Sequence, residues 1–149
     1  MEMPRVLHID YPGAIIRLLE NTFHNKGLIW ESTESGIQGF HLALLQNYNL
    51  ILLSLHEPSI DGLRILKGLK RAGVHTPIVI LLPSRELEFR REELARYPNV
   101  LTCLAKPVDI KHLEKVMEFL RQPPTLPTKD KMALLEILSR VEKAVLDET

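Results

Sequence analysis

The feature that most constrains the fold is a short apolar run, Leu50 to Leu53, near the middle of the chain. Four residues are too few for a helix, so the run predicts a strand buried on both faces, as in a parallel sheet. Pro58 cannot continue that strand, and Asp61-Gly62 falls where a helix begins. Open α/β sheets place functional residues where such a strand ends, and here the strand ends at Ser54.

Strand-like and helix-like segments alternate five times along the chain. The predicted strands cover residues 6–9, 28–30, 50–53, 77–82 and 100–105, and the predicted helices cover 14–23, 37–45, 60–71, 85–97 and 109–120. This alternation predicts an α/β fold with a parallel sheet and right-handed crossovers. The second helix carries four large apolar residues after a predicted N-cap at Ser35: Ile37, Phe40, Leu44 and Leu45.

Beyond residue 121 the pattern changes. Residues 122–128 form a proline-stiffened linker, and residues 129–149 contain a sixth predicted helix, so the chain divides into 1–121, 122–128 and 129–149. A short helix with an exposed apolar stripe is not stable alone in water. It packs back on its own domain or against a second copy, which would make a homodimer. The stripe includes Leu134, Ile137, Leu138, Val141 and Val145.

Composition narrows the classes of partner and compartment. The chain has 149 residues, with 19 basic and 19 acidic side chains and no net charge, so nucleic acid is not predicted as a partner. The single cysteine, Cys103, excludes an internal disulfide and a cysteine metal cage and favours a reducing cytoplasm. No apolar run approaches the ~20 residues that a membrane-spanning helix needs, and no export signal is recognised.

The central stretch resembles that of bacterial response-regulator receiver domains of the chemotaxis-regulator type. In that family a hydrophobic strand ends in an aspartate, and a proline and an Asp-Gly pair follow at fixed spacing. Pro58 and Asp61-Gly62 match in place, and Thr76-Pro77 and Lys106-Pro107 follow in the family's order. The resemblance covers residues 5–121. It implies a flavodoxin-like, doubly wound, five-stranded parallel sheet with strand order 2-1-3-4-5.

The resemblance also implies that the family's phosphorylation chemistry is lost. The aspartate that the family phosphorylates falls on Ser54, and a serine hydroxyl is a weak nucleophile without an adjacent base. His56 is near in sequence, but its distance from Ser54 is not given by the sequence. The family's pair of Mg²⁺-binding acids falls on Asp10 and Tyr11, so we expect no cofactor, with Mg²⁺ binding weak or absent.

Three further positions complete the comparison with the family. The hydroxyl residue that ends the fourth strand falls on Leu82, and the rotating aromatic residue of the switch falls on Cys103, which we expect to be a buried small side chain. Lys106, which contacts the phosphoryl group in the family, is retained. With no phosphoryl group to bind, we expect Lys106 to form a structural salt bridge with Asp10. The isomer of the Lys106-Pro107 bond is left open.

The resemblance therefore predicts a non-enzymatic pseudo-receiver that acts in signal transduction through a protein partner. The family's usual interaction face implies candidates on the fourth helix, the fifth strand and the fifth helix: Arg85, Glu88, Arg91, Lys106 and His112. A solvated charged surface is the alternative for that face. Two alternative functions stay open: residual anion binding near Asp10, Ser54 and Lys106, and a homodimerising structural module.

Overall fold

The computed structural model describes residues 3–120, which form seven strands and five helices. The predictions for the linker at 122–128 and for the sixth helix at 129–149 lie outside the described residues. The strands are β1 (Arg5–Ile9), β2 (Ile29–Thr33), β3 (Leu50–Ser54), β4 (His56–Glu57), β5 (Ile60–Asp61), β6 (Ile78–Pro83) and β7 (Val100–Lys106). The helices are α1 (Gly13–Phe23), α2 (Gly36–Leu45), α3 (Gly62–Arg71), α4 (Ser84–Leu94) and α5 (Ile110–Leu120).

Five of these strands form one parallel sheet in the order β2-β1-β3-β6-β7. Counting only the sheet strands along the chain, this is the order 2-1-3-4-5, so the flavodoxin-like prediction is confirmed. The central strand β3 is buried along its whole length, as its apolar run predicted. No helix among residues 3–120 is long and apolar enough to cross a membrane.

The sheet separates two apolar layers, because alternate side chains of a strand point to opposite faces. One layer holds α1 and α5, whose buried side chains pack with Leu50 and Leu52 of β3. The other holds α2, α3 and α4, which pack against Ile51 and Leu53. Both faces of the sheet are therefore covered, which explains why its inner strands are continuous apolar runs.

Helix α2 meets the sheet through small residues instead of its large apolar ones. Gly36, Gly39 and Ala43 are its buried positions, and a Cβ on Gly39 would lie only 2.6 Å from Cδ1 of Ile9. The helix therefore packs very closely on β1. As a result Ile37 is 74% exposed, although its apolar character alone would favour burial.

Helix α3 begins at Gly62, where the Asp61-Gly62 pair indicated a helix start and two residues later than the start of the predicted range 60–71. The strands β4 and β5 pair as a small antiparallel hairpin, which holds Ile60 and Asp61 in extended conformation. Asp61 is the N-cap, and its carboxylate accepts a hydrogen bond from the Arg64 N–H at 3.2 Å. A Cβ on Gly62 would lie 2.7 Å from Cα of Leu55, so only glycine fits where the hairpin joins the helix.

Candidate functional site

The carboxyl ends of β1, β3 and β7 bring three predicted site residues together. Nζ of Lys106 donates to Oδ1 of Asp10 at 2.7 Å and to Oγ of Ser54 at 2.6 Å. It also donates to Oε1 of Glu57 at 2.6 Å. A lysine ammonium has three N–H donors, so all three are occupied by groups of the protein itself. The expected salt bridge between Lys106 and Asp10 is present, and we refer to these four residues as the Lys106 pocket.

Asp10, which directly follows β1, is fully buried. Oδ1 of Asp10 also accepts from the Tyr11 backbone N–H at 2.7 Å, and Oδ2 lies 3.0 Å from Nε2 of His8. Burial raises the pKa of Asp10, but the hydrogen bonds from His8 and Lys106 outweigh that effect and hold the pKa below its ordinary value. Asp10 is therefore a carboxylate, and since a carboxylate only accepts, Nε2 of His8 donates to it.

Two residues of this site were not predicted from the sequence: Glu57, in the Lys106 pocket, and His8, which contacts Asp10 beside it. Glu57 belongs to β4, and the β4–β5 hairpin turns its carboxylate back toward Lys106. Its position three residues after Ser54, in the loop at the carboxyl edge of the sheet, is the signal that could have found it. His8 lies on β1, two positions before Asp10, which directly follows the strand, so the period of two directs both side chains to one face.

The altered family positions lie as follows. Ser54 is 1% exposed, and Oγ of Ser54 lies 3.4 Å from Oε1 of Glu57. Tyr11 is 37% exposed beside the pocket. Leu82 and Cys103 are buried in the apolar layer that holds α2, α3 and α4. The Tyr11–Pro12 and Lys106–Pro107 peptide bonds are both cis.

The donor set of the Lys106 pocket fits Mg²⁺ poorly. Magnesium requires a near-octahedral shell of oxygen ligands, anchored by carboxylates. Asp10 and Glu57 offer two carboxylates, but both contact the ammonium of Lys106, which a cation would have to displace. Among residues 3–120, no group of three or more His, Cys, Asp or Glu side chains is arranged to hold a metal ion.

Among the described residues, His56 is hydrogen-bonded to α4 and forms no hydrogen bond with Ser54. Its Nε2 atom lies 2.8 Å from Nη2 of Arg90 and 3.8 Å from Oε1 of Glu86, both on α4. Arg90 also pairs with Glu86 at 3.6 Å and with Glu93 at 2.9 Å. The two residues of β4 therefore make different contacts: His56 contacts α4, and Glu57 contacts Lys106 in the pocket.

The residues predicted as candidates for a partner face differ in their exposure. Arg85, Glu88 and Arg91 are exposed on α4. His112 on α5 is less exposed, and its Nε2 lies 3.9 Å from Oδ2 of Asp109. Lys106 differs from the others because its ammonium is directed into the pocket, where all of its donors are used.

The chain is similar in sequence to bacterial regulatory proteins. The profile of the response regulator receiver domain matches residues 6–118 of the chain. The cell cycle transcriptional regulator CtrA of Caulobacter vibrioides is 33% identical over 91 residues, which are 61% of this chain and 39% of CtrA. The chain thus spans about two fifths of the length of that relative. Sporulation initiation phosphotransferase F of Bacillus subtilis is 26% identical over 114 residues, covering 76% of this chain and 90% of the relative.

Solved structures give the same result for the fold. The receiver domain of the Francisella response regulator 1452 superposes with a TM-score of 0.70 and 26% identity, over 78% of this chain and 95% of that one. The chemotaxis response regulator CheY4 of Vibrio cholerae superposes with a TM-score of 0.68 and 22% identity, over 79% of this chain and 98% of that one. These structures share the five-stranded, doubly wound architecture described above.

Proposed function

The chain belongs to the response regulator receiver domain family, and we propose that it is a pseudo-receiver: a signalling module that works without phosphorylation at the family's usual position. The observation that carries this proposal is the occupation of all three Lys106 donors by Asp10, Ser54 and Glu57. In the family this lysine contacts the phosphoryl group. Here an incoming anion finds no unused N–H on it and meets two carboxylates.

The chemistry of Ser54 supports the same conclusion. Phosphoryl transfer to a hydroxyl requires a base that removes its proton. Nζ of Lys106 lies 2.6 Å from Oγ of Ser54, but an ammonium has no lone pair with which to take a proton. The Glu57 carboxylate lies 3.4 Å from Oγ, beyond the ~3.2 Å reach of a general base, and its Oε1 already accepts from Lys106. His56 is engaged with Arg90 instead. We therefore propose that the domain is not an enzyme and has no resident Mg²⁺.

We propose that Glu57 replaces the phosphoryl group as the anionic partner of Lys106. Its carboxylate is part of the chain, so the contact needs no kinase and the pocket holds one arrangement permanently. His56, next to Glu57, contacts Arg90 and Glu86 on α4. The arrangement of the pocket thereby fixes the position of the hairpin against α4, which belongs to the surface that we propose for a protein partner in a cytoplasmic signalling pathway.

An amide NMR titration with Mg²⁺, followed by beryllofluoride as an acyl-phosphate mimic, tests the proposal. We expect no saturable shifts at Asp10, Ser54, Glu57 or Lys106 in the wild-type chain. Saturable shifts at those residues that extend to Cys103 and α4 would contradict it, and would favour the alternative of residual anion binding. Self-association through the predicted sixth helix is a separate prediction, which the mass measured at several protein concentrations tests.

A further inference from the structure

The outer side of α2 is unusually apolar for an exposed helix. Ile37 is 74% exposed, Leu45 is 80% exposed and Leu44 is 39% exposed. They are spaced seven and eight positions apart along α2, which places them toward one side of the helix. Large exposed side chains that cluster on one surface commonly mark a site of interaction, whereas scattered ones need no explanation.

The neighbouring helix α3 adds a row of positive charge. Arg64, Lys67 and Arg71 are spaced by three and four residues, so they lie on one face of the helix. All three side chains belong to exposed residues. No acidic side chain among residues 3–120 forms an ion pair with any of them, in contrast to Arg90 on α4.

A groove of about 690 Å³ lies between these two helices and reaches the β4–β5 hairpin. Its apolar side includes Ile37 and Phe40, and its other side is formed by Arg64, Lys67 and Arg71. Two acidic residues, Glu57 and Asp61, line only the end of the groove at the hairpin, so the side along α3 is the cationic one. Gly68 allows the helices to meet closely, since a Cβ there would lie 2.7 Å from Cε2 of Phe40. The Phe40 ring therefore lies against the α3 backbone and forms part of the groove.

We propose that this α2–α3 groove binds an amphipathic helix of a partner protein, with apolar residues facing α2 and acidic residues facing α3. The basis is complementarity: an apolar side beside three cations that have no ionic partner among the described residues. No residue of α4 lines the groove, so it is separate from the α4 surface proposed above. The chain would thus have two separate interaction surfaces on the same side of its sheet.

The shape and the charge favour a peptide helix over other anions. Nucleic acid rewards a strongly positive surface, whereas this chain has no net charge and the groove has an apolar side. A membrane surface is broad and flat, whereas the site is a concave groove between two helices. A helix about 10 Å across presents a convex surface whose apolar stripe and charged flank match the groove.

The test uses the full chain and a synthetic amphipathic peptide of about five helical turns, with leucine on one face and glutamate on the flank. We expect saturable amide shifts at Ile37, Phe40, Arg64 and Arg71. A peptide with lysine in place of glutamate should bind at least about tenfold more weakly, because three surface ion pairs of up to ~1 kcal/mol each are lost.

Matched charge reversals locate the site. The variant Arg64→Glu/Lys67→Glu/Arg71→Glu should weaken binding of the acidic peptide by about tenfold or more. The control variant Arg17→Glu/Lys111→Glu/Lys115→Glu makes the same charge change on α1 and α5, across the sheet, and should bind within about twofold of wild type.

Four outcomes would overturn the proposal. These are the absence of saturable shifts at about 1 mM peptide, equal binding of the lysine peptide, equal weakening by both charge-reversal variants, and shifts at the groove that arise only with anionic phospholipid vesicles. The groove could instead be filled by residues 129–146 or by a second copy of the chain, and either occupant would prevent peptide binding. That result would contradict the proposal that a partner protein binds there.

Discussion

Oε1 of Glu57 lies 2.6 Å from Nζ of Lys106, although the two residues are separated by 49 positions in the sequence. The contact is made at the edge of the sheet where receiver domains carry out their chemistry. The adjacent residue, His56, contacts Arg90 on α4 at 2.8 Å. A single two-residue strand therefore connects the pocket to the helix that we propose as part of the partner surface.

Neutralising Glu57 should restore some anion binding to the pocket. The Glu57→Gln substitution removes one of the two carboxylates that contact Lys106 and leaves Asp10 and Ser54 in place. We expect weak, saturable binding of beryllofluoride or inorganic phosphate in the range of about 1 mM, measured by amide shifts at Ser54 and Lys106. The control Glu88→Gln, on the exposed part of α4, should behave as wild type. Equal anion binding by wild type and Glu57→Gln would mean that Glu57 does not block the pocket.

Removing the lysine charge should destabilise the domain. The Lys106→Met substitution leaves the buried carboxylate of Asp10 without its ammonium partner and close to that of Glu57. Breaking a buried ion pair by removing one partner costs roughly 3–5 kcal/mol. Because Lys106 is partly exposed, we expect the free energy of unfolding, measured with urea at pH 7, to fall by about 3 kcal/mol. Lys111→Met should change the free energy of unfolding by less than about 0.5 kcal/mol. The double variant Lys106→Met/Asp10→Asn should recover part of the loss, and no recovery would exclude the unpaired carboxylate as the cause.

The pH dependence of stability should report on Asp10. Its pKa in the folded protein is lowered from the ordinary value of 3.8, because the bonds from His8 and Lys106 outweigh the effect of burial. In the interval between the folded and unfolded pKa the unfolded chain binds more protons, so stability rises with pH. The contribution of Asp10 is fully present above the unfolded pKa and is lost as the pH falls through the folded one.

Urea unfolding of wild type and Asp10→Asn across acidic pH measures that contribution. The stability difference between them should shrink as the pH falls and then stay constant below both pKa values. The pKa of Glu31 is also lowered, since hydrogen bonds from Tyr48 and Arg5 outweigh its burial, so Asp10→Asn should keep some acid sensitivity. The Glu31→Gln variant, measured in the same way, gives the part of the acid sensitivity that comes from Glu31. A difference independent of pH would show that Asp10 is not an ionised, stabilised carboxylate.

The sequence predicted those features that depend on local pattern. The apolar run at Leu50 to Leu53 and the alternation of strands and helices predicted the sheet and, with the family resemblance, its strand order. Strand ends also placed Asp10, Ser54 and Lys106 at one edge. The position of the Glu57 carboxylate depends on the β4–β5 hairpin, which residue patterns do not indicate.

Helix α2 shows a second limit of sequence patterns. Its large apolar residues alone would favour burial, but close packing on β1 requires small residues there, and Gly39 lies against Ile9. Burial was therefore decided by the distance between α2 and the sheet, which is a tertiary property. The same packing leaves Ile37 exposed and so creates one side of the α2–α3 groove.

Replacing Gly62 should reveal how tightly the hairpin joins α3. A Cβ at Gly62 would lie 2.7 Å from Cα of Leu55 and 2.8 Å from the Ser54 carbonyl oxygen, and neither backbone atom can move aside easily. We expect Gly62→Ala to lower the free energy of unfolding by about 2–3 kcal/mol. At Gly73, whose φ is +74° and whose Cβ would meet nothing within 4 Å, alanine should cost only about 1 kcal/mol. Equal losses in urea unfolding would mean that the close approach at Gly62 carries no cost.

Restoring an aspartate at position 54 should not restore a working receiver. The added carboxylate of Ser54→Asp would replace a hydroxyl that is 1% exposed and 3.4 Å from Oε1 of Glu57, so like charges would crowd around Lys106. We expect Ser54→Asp to be about 2 kcal/mol less stable at pH 7 than the uncharged, equally large Ser54→Asn. Like charges raise the pKa of the new carboxyl, so the gap should close as the pH falls below that raised value and the group is protonated. Neither variant should accept a phosphoryl group from acetyl phosphate and Mg²⁺, because Tyr11 and Leu82 still stand at the other altered positions. Phosphorylation of Ser54→Asp, detected as an added mass on the intact chain, would show that a single substitution separates this pocket from a functional one.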